Sequence, residues 1–87
     1  MSRIASMRTR LATLNPVSLE IIDESHKHAG HAGSRAGGGH YLLQIVTSEF
    51  TGKSTLARHR MIYSALGEMM EREIHALNIQ AKTPDEV

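Results

Sequence analysis

The chain contains no cysteine and no tryptophan, and its 87 residues include only one phenylalanine, two tyrosines and two prolines. Without a thiol it can form no disulfide, no thiolate zinc site and no iron–sulfur cluster held by its own sulfur, so soft-metal chemistry would have to borrow thiolates from another molecule. So few rings leave little surface on which bases could stack. Net charge is also missing: ten Lys and Arg against nine Asp and Glu give +1 with histidine neutral, which creates no general field for nucleic acid or anionic lipid. No apolar run approaches the ~20 residues of a membrane helix. The length suits one small domain, residues 1–87, with a core too small to divide. Histidine is the residue in excess, with six copies.

Ile4, Met7, Leu11 and Leu14 recur at spacings of three and four, which predicts an amphipathic first helix with Ser2 as its cap. Arg3, Arg8 and Arg10, with no acid before Glu20, also have the composition of an organelle transit segment. The apolar stripe favours a packed helix, and the cytoplasm is the expected compartment. Asn15-Pro16 ends the helix, because the residue before proline is pushed out of helical geometry. Val17, Leu19 and Ile21 then alternate with polar residues, the pattern of a half-buried strand running to Asp23. From Glu24 to Gly39 there is no apolar period. That segment holds five of the seven glycines together with His26, His28 and His31, a long loop of the kind that more often carries function than plain connection.

Tyr41 to Thr47 is β-rich and nearly continuous in apolar character, as expected of a central strand. After a turn at Thr51-Gly52, helical spacing through Leu56, His59, Ile62, Tyr63, Leu66, Met69 and Met70 predicts a long helix from Ser54 to Arg72. Ile74 to Ala81 alternates again, and Thr83-Pro84-Asp85-Glu86 opens a terminal helical turn. The order is αββαβ. The first two strands should pair as an antiparallel hairpin, and the helical crossover should make the second and third parallel. The expected fold is α+β, a three-stranded mixed sheet with helices on one face.

Gly52-Lys53-Ser54-Thr55 resembles the end of a phosphate-binding P-loop, but that motif needs a glycine at position 47, where this chain has Thr. Lys53, Arg58, His59 and Arg60 form a local basic cluster that could meet a phosphate backbone or simply be a solvated helix face. His26-x-His28-x-x-His31 and His75 are candidate metal ligands, because neutral imidazole binds zinc, iron and copper. The same residues also suit an adaptable solvated loop and a hydrogen-bonded strand end. No serine has an obvious base partner and no acidic pair is framed in a pocket-forming segment, so an enzyme is not expected.

Several pieces in order resemble the BolA-like family: Leu19-x-x-x-Asp23-Glu24-Ser25 leading into His28, Gly39-His40-Tyr41, Phe50-Thr51-Gly52-Lys53-Ser54, Arg58-His59-Arg60 and Ile74-His75-Ala76-Leu77. The resemblance spans nearly the whole chain. It implies a KH-like (class II) αββαβ fold and a partner, since BolA-like proteins pair with monothiol glutaredoxins and share a [2Fe-2S] cluster. The glutaredoxin and its bound glutathione would then supply the thiolates. This chain would supply His75 and a loop histidine, best matched by His28, with His31 as a substitute. Imidazole in place of thiolate reduces the negative charge on a cluster and raises its potential. Such ligands protonate near neutrality, so the cluster should loosen as pH falls through the imidazole range, which suits handover or sensing. The family is also described in transcriptional, stress and morphology control. For that role the expected DNA contacts are Lys53, Arg58, His59 and Arg60, although the Gly-x-x-Gly loop of nucleic-acid-clamping KH modules is missing its second glycine.

Overall fold

The structure is a computed structural model that describes residues 2–25 and 38–87. Its elements are α1 (Arg3–Leu11), β1 (Ser18–Asp23), β2 (Gly39–Val46), α2 (Thr55–Leu66), α3 (Met69–Arg72) and β3 (Ile74–Lys82), with 3₁₀ turns at Ala12–Leu14, Ser48–Phe50 and Pro84–Glu86. Ser2 caps α1 by accepting the Ala5 N–H, and Ser54 caps α2 by accepting that of Ala57.

The sheet order is β1-β2-β3, antiparallel on one side of β2 and parallel on the other, so the mixed sheet and its central strand follow the expectation. Tyr41, Leu43 and Ile45 alternate along β2 and are buried. They share a core with Met7 and Leu11 of α1, Ile62 and Leu66 of α2, Met69 of α3, and with Ile21, Phe50 and Ile74. The helices therefore lie over one face of the sheet, and apolar burial on that face drives its assembly.

The long helix predicted from Ser54 to Arg72 is two helices. Gly67 ends α2 with φ 57° and ψ −129°, a conformation open mainly to glycine, and its N–H bonds to the Tyr63 carbonyl. This break lets α3 re-aim Met69 into the core. Gly67→Ala is expected to cost about 1–3 kcal/mol, read as a lower urea midpoint with an unchanged slope. The predicted apolar stripe is also narrower: Ile62 and Leu66 are buried, whereas Leu56 is 60% and Tyr63 41% exposed. Spacing alone admitted them to the stripe, but the core meets α2 along the Ile62–Leu66 line.

The terminal turn is tied down. Arg58 donates to both carboxylate oxygens of Glu86 at 2.6 and 3.0 Å, and also to the carbonyls of Lys53 and Ala81. The Glu86 carboxylate in turn accepts the Thr83 N–H at 2.8 Å. The hydrogen bond from Arg58, joined by that from Thr83, holds the Glu86 carboxyl down to about 2. A carboxylate whose folded pKa lies below its unfolded value adds stability above the usual carboxylate range and loses it as pH falls toward 2. Wild type should therefore melt higher than Glu86→Gln at pH 7. The gap should close on acidification and shrink in salt, because the Glu86 carboxylate is exposed to solvent. Equal melting temperatures at pH 7 would show that the clamp adds nothing.

Candidate functional site

β3 contains one residue too many for its ladder. Gly39 pairs with Ile74 and His40 with Ala76, which leaves His75 as the extra residue of a β-bulge. The bulge lets Ile74 and Leu77, three residues apart, both turn towards the core, and His75 is exposed on the other side. Bulges re-aim side chains in this way, often beside functional sites.

The imidazole of His40, first of the outward-alternating residues of β2, stands against that of His75. The ring centroids are 5.0 Å apart and the planes are tilted by 49°. Two imidazoles on one tetrahedral metal at ~2.1 Å metal–nitrogen distance have centroids about 5 Å apart, so this spacing suits a shared ion. Among the described residues no group of three or more His, Cys, Asp or Glu is placed to hold a metal. Each iron of a [2Fe-2S] cluster takes two ligands besides its bridging sulfides, and a pair of imidazoles fits that number.

Backbone and short side chains draw the two ends of the intervening segment to this spot. The Asp23 carboxylate accepts the Ser25 N–H at 2.9 Å, the Ser25 hydroxyl accepts the His40 N–H at 3.0 Å, and the Glu24 N–H bonds to the His40 carbonyl at 2.7 Å. On the returning side the Gly39 N–H bonds to the Glu73 carbonyl at 3.0 Å. Gly38 passes so near β3 that a Cβ on it would lie 2.7 Å from the His75 Cβ. Ser25 thus lies beside His40 and Gly38 beside His75; the predicted ligands His28 and His31 lie outside the described residues. The sequence does not mark His40 as a ligand, because the apolar β-rich run begins only at Tyr41. Its signal was the outward parity it shares with Leu42 and Gln44.

The basic cluster is divided by the fold. Lys53 and Arg60 are exposed, and His59 is half-buried with its ring edge-on to Tyr63 at 6.4 Å. Arg58 is occupied by Glu86 and two carbonyls, with its guanidinium carbon 5.8 Å from the centre of the Phe50 ring. No described helix is long and apolar enough to cross a membrane.

Comparison with known proteins places these features in a family. The BolA-like protein family matches residues 11–86. The chain is 48% identical over 79 residues to SufE-like protein 1, chloroplastic/mitochondrial, of Arabidopsis thaliana, covering 85% of this chain and 21% of that protein. It is 43% identical over 72 residues to the DNA-binding transcriptional regulator BolA of Escherichia coli, covering 83% of this chain and 66% of that one. The chain therefore spans less than two thirds of either relative. Among solved structures, the BolA domain of SufE1 from Arabidopsis thaliana superposes with a TM-score of 0.86 at 45% identity, covering 100% of this chain and 98% of that one. The family match across the motifs and the shared three-stranded architecture agree, and the chain belongs to the BolA-like family.

Proposed function

We propose that this protein is a non-enzymatic adaptor in iron–sulfur cluster trafficking or iron sensing, acting in the cytoplasm as a heterodimer with a monothiol glutaredoxin. The cargo is a [2Fe-2S] cluster whose thiolates come from the glutaredoxin and its glutathione. One observation carries the reading: an exposed histidine on a bulge, beside a second imidazole. His75 is the fixed ligand. The second is His28, as the resemblance implies, with His31 as its substitute, and His40 is the candidate added by proximity. Histidine donates to iron only through a neutral imidazole, whose free nitrogen a proton would occupy, so acid should favour release.

The test is to mix the chain with a glutathione-loaded monothiol glutaredoxin, iron and sulfide. Visible absorption and circular dichroism of the cluster should change on mixing; an unchanged spectrum and no heterodimer would overturn the proposal. Ala variants at positions 28, 31 and 40, made singly, should show the change lost at the position of the second ligand and kept at the others.

A second reading, a small DNA-binding regulator, is favoured by the Escherichia coli relative, a DNA-binding transcriptional regulator. Its contacts here would be Lys53, His59 and Arg60, since Arg58 is engaged with Glu86. Lys53→Ala with Arg60→Ala should then weaken binding to duplex DNA and flatten its salt dependence. Binding indifferent to both changes would exclude that surface.

A further inference from the structure

At the opposite end of β2 from His40, the helical layer carries a second surface. The Thr47 hydroxyl there donates to the Leu14 carbonyl at 2.7 Å, and seven residues of strand put this end ~23 Å from the histidines. A shallow groove of about 480 Å³ opens between the 3₁₀ turn that follows α1 and the C-terminal half of α2, lined by Thr13, Leu14, Arg60, Met61, Ser64 and Ala65. Its floor is apolar. Arg60 is its one charged side chain and makes no ion pair among the described residues. There is no carboxylate between residues 2 and 19 or between 50 and 67, so neither flanking helix can neutralise it. Leu56 and Tyr63 extend the apolar surface along α2.

We infer that this groove docks an acidic, amphipathic segment of a partner protein, with apolar side chains on Leu14, Met61 and Ala65 and a carboxylate on Arg60. Charge complementarity selects this occupant: a field of one sign with no acid in either helix repels cationic segments and attracts carboxylates. A nucleic acid would find only one cation inside the groove, and one phosphate contact contributes little affinity. A second copy of the chain would bring the same basic helical face against this one. The groove and the histidines are far enough apart to be occupied together, which would suit a carrier that meets a client at one end while cargo sits at the other.

The test uses the whole chain, labelled with ¹⁵N, and a synthetic 14-residue peptide with leucine at helical spacing and glutamate elsewhere. A matched peptide carries lysine for glutamate, and a 12-base-pair duplex DNA is titrated in parallel. The glutamate peptide should shift the amide signals of Thr13, Leu14, Met61 and Ala65. Arg60→Glu, at an exposed position that should leave folding intact, should weaken binding at least tenfold, and Met61→Lys should also weaken it. His75→Ala should leave the titration unchanged, so failure here is separate from failure of the cluster reading. Absence of binding, shifts confined to other surfaces, or equal binding of the lysine peptide or the DNA at the groove would overturn the inference. So would groove shifts that depend on protein concentration without peptide, which would assign the surface to a second copy.

Discussion

His75→Ala should abolish the spectroscopic change produced by mixing this protein with a cluster-loaded glutaredoxin, while leaving the fold nearly untouched. The imidazole is exposed and belongs to a bulge, so its removal takes little from the core and should alter stability by no more than ~0.5 kcal/mol. The functional loss should be complete, because an iron left with one ligand from this side would be completed by water or by the partner alone. His75→Cys supplies a control that a merely structural role would not answer. It should restore a cluster whose reduction potential is lower than that of the wild type, since thiolate returns negative charge to the iron. A normal spectrum in His75→Ala would remove the residue from the site.

Phe50→Ala should have the largest effect on folding. The lone phenylalanine is fully buried, at the end of the 3₁₀ turn after β2, and the Arg58 guanidinium lies near its ring. Truncating a buried phenylalanine costs about 3–5 kcal/mol, against a total stability of roughly 5–15 kcal/mol for domains in general. In a chain of this length the variant should be largely unfolded at physiological temperature, and Phe50→Leu should recover much of the loss. Equilibrium urea denaturation measures both. A loss below about 1 kcal/mol would mean that the core closes without the ring.

The strands were legible because each carries its own period. The alternation of β2 places Tyr41, Leu43 and Ile45 inward without reference to anything distant, and the hairpin and crossover follow from element order. The break at Gly67 was not, because glycine inside an apolar spacing looks tolerable until the backbone demands a positive φ. Leu56 and Tyr63 were misassigned for a related reason: periodicity gives a stripe, but only the position of the sheet decides its edge. In the site, residue types pointed to His75, whereas its contact with His40 depends on a register slip that no local pattern displays. Arg58 looked like part of a basic cluster because its counter-charge, Glu86, is far away in sequence.

The slip at His75 also implies a trade-off that can be engineered. With one residue removed between Ile74 and Leu77, β3 would run in, out, in against β2 with no interruption. The shortened strand should exchange its amide hydrogens more slowly than the natural one, and it would have lost the imidazole. The additional residue is thus an insertion the sheet does not need, and a selection for thermal resistance alone would be expected to delete it.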